Sequence, residues 1–328
     1  MQIDSVHSNP PRRRLGQSDL WVSPVALGCW PIAGVSSLGV NDDDSLATIH
    51  AALDAGINFF DTAYSYGYDG QADLLLAQVL RKRGAEMIVA SKVGTHYDAQ
   101  QRQVVDGRPA TLLEHARRGC ERLGVEQLDV IYLHAVDPQV PLAESAGAIA
   151  EILKQGLARY AGVSNVDPQQ LTAFTAVCPV IIVQPPFNML QIEKVQAIIP
   201  QCVDQQIAIA AYWVLMKGVL AGRMTREYRL DPADRRLNYP VYQGAAWQRT
   251  HDLLDRLRPL AAGLNCTLAQ LVIAWTLAQP GLTVALCGAK RPEQIQESAG
   301  AMQVELSPNV LEQIDGWLVE LNIASDTT

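Results

Sequence analysis

The sequence predicts an eight-stranded (β/α)8 barrel of the TIM type, and three observations carry that expectation. Short apolar runs alternate with helix-period segments along most of the 328 residues. The runs are rich in Val, Ile and Ala with little polar alternation, the composition of parallel strands covered on both faces. No GxGxxG follows the first run, which weakens the main rival, a doubly wound open sheet. Eight βα units closing on themselves leave no sheet edge exposed.

The elements follow in chain order. Residues 13–23 hold short apolar stretches around Gly16 and Gln17 and read as a β-hairpin able to plug the bottom of the barrel. Strands are expected at 25–30, 57–63, 87–93, 128–135, 160–163, 180–184, 207–213 and 283–287. The intervening segments are amphipathic: Leu113, Ala116, Cys120 and Leu123 recur at helical spacing, as do Leu142, Ala146, Ile149 and Leu153. A polar stretch at 224–244 contains Pro232, Pro240 and four Arg, interrupts the seventh unit and is too long for an ordinary connector. It reads as a substrate loop or lid. A helix closes the chain, giving a single domain over 1–328 with tails at 1–11 and 324–328.

Composition narrows the function classes. Hydrophobic residues make up 48% and charged residues 18%, enough apolar material for a large core. With 26 Lys plus Arg against 34 Asp plus Glu, the net charge is −8, and no Lys/Arg tract rises above the short Arg12 to Arg14 run. Nucleic acid and anionic membranes are poor partners for such a chain. The first eleven residues lack the apolar region of a secretory signal and the longest apolar runs are too short to span a bilayer, so a cytoplasmic protein is expected. Six scattered cysteines form no CxxC pair and no HxH pair is present, so neither a disulfide framework nor a metal site is expected.

Several strands end in residues that an apolar interior does not tolerate unpaired. Asp61, Lys92 and His134 close the second, third and fourth runs and therefore share one rim, the rim where barrel enzymes keep their sites. A buried lysine needs a carboxylate, and Asp61 on the adjacent strand supplies one. Tyr66 follows five residues later, where a neighbouring ammonium is expected to lower the phenol's pKa. Such a phenol can exchange a proton with a carbonyl oxygen, while His134 gives that oxygen a second hydrogen bond and orients the substrate.

With those residues in place, GINFFDTAYSYG at 56–67, SKVG at 91–94, YLH at 132–134 and GVSN at 162–165 resemble the aldo-keto reductase superfamily over nearly the whole chain. The resemblance implies reversible carbonyl reduction by hydride transfer, with Asp61, Tyr66, Lys92 and His134 as the catalytic tetrad. It implies that Ser164, Asn165 and Gln184 hold the nicotinamide carboxamide and that Tyr212 stacks on the ring. Leu215, Gly218, Leu220 and Arg223 match the pyrophosphate loop. Gly288, Lys290, Arg291, Gln294, Glu297 and Ser298 match the adenosine end. Gly28, Cys29, Trp30 and Trp213 fall at the strand ends facing the cofactor, with Trp30, Tyr66 and His134 as the substrate contacts. Adjacent cations at Lys290 and Arg291 suit a 2′-phosphate, so NADP(H) is favoured and NAD(H) is possible. The chain departs from the pattern where Trp213 and Val214 replace Ser-Pro, where Cys29 replaces a common Thr, and where Gly288 and Ala289 stand for Lys and Ser and Gln294 for Arg.

Bland readings compete with each signal taken singly. His134 alone suits a core histidine, Asp61 with Lys92 a structural ion pair, and Lys290 with Arg291 a solvated helix start. Three function classes follow: an oxidoreductase on an aldehyde, ketone or sugar; a cofactor-binding regulatory or channel-associated subunit; and a Schiff-base lyase using Lys92. Sequence names neither the substrate nor the oligomeric state.

Overall fold

The computed structural model describes residues 11–35 and 39–323; the expected tails, 1–11 but for its last residue and 324–328, fall outside the described residues. Eight parallel strands form a closed barrel: β1 (Val25–Gly28), β2 (Phe59–Asp61), β3 (Ile88–Val93), β4 (Leu128–Leu133), β5 (Ala158–Ser164), β6 (Ile182–Gln184), β7 (Ala208–Ala211) and β8 (Leu282–Gly288). Each expected run overlaps one of them, and the runs at 160–163 and 283–287 lie inside the longer β5 and β8. Neighbours in sequence are neighbours in space, and β8 pairs back onto β1 with Cys287 opposite Leu27.

Alternation along each strand divides the apolar residues into two cores. Ala26, Phe59, Ala90, Val130, Tyr132, Ile182, Ala208, Ala210, Val284 and Leu286 point inward and fill the barrel. Phe60, Val89, Ile131 and Val183 point outward, into the layer shared with the helices. The inner core is sealed from below by the hairpin of Arg13–Arg14 and Trp21–Val22, whose Leu15, Leu20 and Val22 join it. Gly16 is required there. Its φ is +52°, and a Cβ would lie 2.3 Å from the Ile181 carbonyl oxygen.

Two features depart from the sequence expectation. A second antiparallel hairpin, Thr95–Tyr97 with Gln103–Val105, leaves the end of β3. The 224–244 stretch is not free: it forms short 3-10 turns at Arg235–Asn238 and Pro240–Tyr242 and is tied to the β7 loop. The Tyr242 hydroxyl donates to the carbonyls of Met216 and Lys217, and Arg236 donates to that of Lys217. Among the described residues no single helix is long and apolar enough to cross a membrane.

Candidate active site

The same alternation places the polar residues. Inward positions run Phe59, Asp61; Ala90, Lys92; Val130, Tyr132, His134; and Ile182, Gln184, so each rim residue is the next inward side chain above the apolar core. β2, β3 and β4 are consecutive neighbours, which brings Asp61, Lys92 and His134 to one side of the mouth.

Lys92 is fully buried, and its three N–H groups are all spent. One goes to Asp61 Oδ1, one to the Thr62 carbonyl at 2.9 Å and one to the Tyr66 hydroxyl at 3.0 Å. The other Asp61 oxygen accepts from Gln184 Nε2 at 2.7 Å. Burial works to lower the ammonium's pKa, but Asp61 and Tyr66 outweigh it and raise it. Lys92 is therefore a fixed cation.

Tyr66 departs from the expected direction. Burial raises its phenol pKa and the Asp61 carboxylate adds to that, together exceeding the pull of Lys92. The expected lowering counted the ammonium and left out desolvation and the second charge. Tyr66 is thus a neutral O–H donor, braced edge-on by Trp30 at 5.2 Å and His134 at 6.1 Å between ring centroids. His134 has its pKa pushed down to about 3 by burial and by Lys92, so its imidazole is neutral at working pH; its Nδ1 is buried without a partner. The site therefore offers two neutral donors beside one buried cation.

The loop carrying Tyr66 is held from behind. The Tyr64 ring stacks on His115 at 3.7 Å and carries the Arg122 guanidinium at 4.4 Å, while Arg122 also donates to the Tyr64 carbonyl. Gly162, in GVSN, leaves room for a catalytic-side neighbour: a Cβ would sit 2.6 Å from the Tyr132 ring beneath Lys92.

The residues expected around the cofactor are gathered on the rest of the rim, though not all present a side chain. Asn165, at φ +57°, donates to the His134 carbonyl at 2.9 Å and to Ser164 Oγ at 3.1 Å, and accepts from the Tyr212 hydroxyl at 2.7 Å. Gln184 and Ser164 spend their polar groups inside the protein, on Asp61 and on the Gln184 carbonyl. Cys29 and Leu220 are buried in the core, leaving only backbone to offer, and Ser298 donates to the Gln294 carbonyl. Arg223 pairs with Glu297 at 2.6 Å, joining the β7 loop to the helix Pro292–Gly300. Leu215 and Gly218 belong to a strained turn in which Trp213, Met216, Lys217 and Gly218 all have positive φ. Gly28 pairs with Gly288 across the β1–β8 seam, and a side chain at Gly288 would meet Pro31 Cγ at 2.7 Å, which accounts for the glycine there.

Lys217 and Asp73 have no place in the sequence reading, and Arg236 enters it only as one of the four Arg of the expected substrate loop. Arg236 from the long loop lies within electrostatic reach of Lys290, whose pKa is lowered by burial and by Arg236 and Arg291, with Asp234 opposing. Lys217 sits over the rings of Trp213 at 4.3 Å and Tyr239 at 4.6 Å, and burial with Arg236 pushes its pKa down to about 8. Asp73 lies under the site, bonded to Thr62. The arginine-rich composition of the loop was visible in sequence; its fold back onto the rim was not. The gathering of Lys290, Arg291 and Arg236, near the Gln294 side chain that accepts from the Lys290 N–H at 2.8 Å, fits a phosphate-bearing nucleotide. Among the described residues no group of three His, Cys, Asp or Glu could hold a metal ion.

Comparison with known proteins gives the family. The Aldo/keto reductase family profile matches residues 24–318. The chain belongs to the aldo-keto reductase family. It is 31% identical to "Aldo-keto reductase YhdN" of Bacillus subtilis over 92% of this chain and 88% of that protein. It is 30% identical to an "NADH-specific methylglyoxal reductase" of Escherichia coli, over 89% and 94%. The solved glycerol dehydrogenase of Gluconobacter oxydans superposes with a TM-score of 0.88 at 30% identity, covering 94% of this chain and 95% of that one. This aldo-keto reductase is thus an enzyme of carbonyl and alcohol oxidoreduction, in a family that uses nicotinamide cofactors.

Proposed function

We propose that this aldo-keto reductase interconverts an aldehyde or ketone, a small polar or sugar-like carbonyl among them, and its alcohol, with NADP(H) as hydride carrier and Tyr66 as the acid. The observation that carries the proposal is the Tyr66 hydroxyl at 3.0 Å from a fully buried Lys92 whose other two N–H groups are occupied. The bound nicotinamide supplies or takes the hydride. Tyr66 and the neutral His134 hold the carbonyl oxygen, Tyr66 donates its proton as negative charge grows there, and Lys92 offsets the phenolate left behind. Asp61 keeps Lys92 charged and Gln184 keeps Asp61 in place.

A Schiff-base lysine needs a neutral, mobile amine, whereas Asp61 and Tyr66 raise the pKa of Lys92 and lock it. The lyase reading has no geometric support. A steady-state assay with NADPH and NADH over a panel of aldehydes, ketones and sugars tests the proposal; no turnover on any of them would end it.

The preference for NADP(H) rests on Lys290, Arg291 and Arg236. The Escherichia coli relative is named for NADH, so the choice is not fixed by the family. Lys290→Met is expected to weaken NADPH binding roughly tenfold or more while changing NADH binding little, as read by quenching of protein fluorescence. Equal losses for both cofactors would show that these cations do not read the 2′-phosphate.

A further inference from the structure

Asp73 is wholly buried on the inner face of helix Gln71–Arg83, directly beneath the strand end that carries Asp61. Its Oδ1 accepts from the Thr62 hydroxyl at 2.6 Å, and its Oδ2 is buried with no partner. Thr62 itself is fully buried and does two jobs: its carbonyl takes one N–H of Lys92, and its hydroxyl is tied to Asp73. A carboxyl with one oxygen left unsatisfied in the interior is costly, and native proteins keep few of them. Among the described residues the other buried acids outside the site have full sets of partners: Asp106 is held by Arg108 and Thr111, and Asp137 by backbone N–H groups. Asp73 is the exception, and Thr62 links it to the ammonium that holds the proposed proton donor.

We propose that Asp73 is a positioning residue of the active site, which through Thr62 fixes the carbonyl that orients Lys92 and whose protonation state sets the charge felt by Lys92 and Tyr66. The proposal rests on the function proposed for Tyr66 and Lys92. The groups that face Asp73 are Thr62 just past the end of β2, Lys92 on β3 and Arg122 on the helix Pro109–Leu123, and Cys29 just past the end of β1 and Asp61 share the same buried cluster. Burial lifts the Asp73 carboxyl to about 7, against the Thr62 hydrogen bond and the cations Arg122 and Lys92. Below that pH the cluster carries one negative charge fewer. Above it, an additional carboxylate opposes the negative charge that must grow on Tyr66 and the substrate oxygen during reduction. Reduction is therefore fastest with Asp73 neutral.

The test is the pH dependence of kcat for carbonyl reduction by the full chain with saturating NADPH, together with thermal midpoints in buffer alone. Wild type is expected to lose roughly three- to tenfold in kcat between pH 6 and 8, and Asp73→Asn to be flat over that window. In the melts, a carboxyl whose folded pKa is raised costs stability as pH climbs from its unfolded value near 4 to about 7. The midpoint of Asp73→Asn relative to wild type should thus rise by several degrees over that range and then level off. Thr62→Val removes the hydroxyl that helps the carboxylate form, so the inflection in kcat should move to higher pH; Thr62→Ser should return it.

An inflection that persists in Asp73→Asn, or one that Thr62→Val leaves unmoved, would overturn the proposal. Melts that track Asp73 while both kcat profiles coincide would make Asp73 merely structural. Wild type that turns over no carbonyl at any pH, with melts behaving as expected, would instead remove the proposed function on which the inference stands.

Discussion

Tyr66→Phe is expected to lower kcat by about 10²-fold or more while leaving the dissociation constant for NADPH within about twofold of wild type. The substitution deletes one oxygen and keeps the ring, so the edge contacts with Trp30 and His134 survive and the loop pinned by Arg122 and His115 stays in place. Lys92 keeps Asp61 and the Thr62 carbonyl as partners, so the fold should lose little stability. What disappears is the proton donor. Because the donor acts only as the carbonyl oxygen gains charge, kcat and kcat/KM should fall together with KM little changed. The phenol's raised pKa adds a sign: Tyr66 stays protonated through neutral and mildly alkaline pH, so wild-type reduction should show no loss from its ionisation there. Single-turnover measurement of NADPH oxidation in both proteins decides the matter, and wild-type rates in the variant would remove Tyr66 from the chemistry.

The fold and the core of this site were legible because both follow from one periodicity. Asp61, Lys92 and His134 each sit two residues beyond an inward apolar residue, so the alternation that reveals the strands also aims their last side chains into the mouth. What escaped depends on contacts between segments far apart in sequence. The hairpin Thr95–Tyr97 with Gln103–Val105 has three residues a side, too few to show a period. Arg236 looked like any arginine of a polar loop until Lys217 and Tyr242 fixed where that loop lies. The direction of the Tyr66 shift needed burial, which residue types do not supply. Asp73 did carry a signal. It shares a helix face with Ala72, Leu76 and Val79, and an acid on an apolar stripe asks for a reason.

Lys92→Met should be the most damaging single change, for stability as well as chemistry. Methionine fits the volume of the lysine stem and buries well, so packing is preserved. The charge is lost, however, and Asp61 is left almost wholly buried with only the Gln184 amide for company. Breaking one side of a buried pair costs about 3–5 kcal/mol, most of it the penalty on the carboxylate that remains. Burial already raises the Asp61 pKa in the intact site, and removing Lys92 takes away the main force opposing that rise. The variant's carboxyl then holds its proton to higher pH than in the unfolded chain, so its stability falls as pH rises through the interval between the two values. The deficit against wild type should be small near pH 5 and large at pH 8, as measured by urea unfolding. If the cost comes from the stranded charge, adding Asp61→Asn should restore most of the stability at pH 8 but none of the activity, because the cation that offsets the Tyr66 phenolate is still missing. A single variant as stable as wild type at pH 8 would mean that Asp61 and Lys92 contribute no net coupling, and Lys92 would then owe its place to catalysis alone.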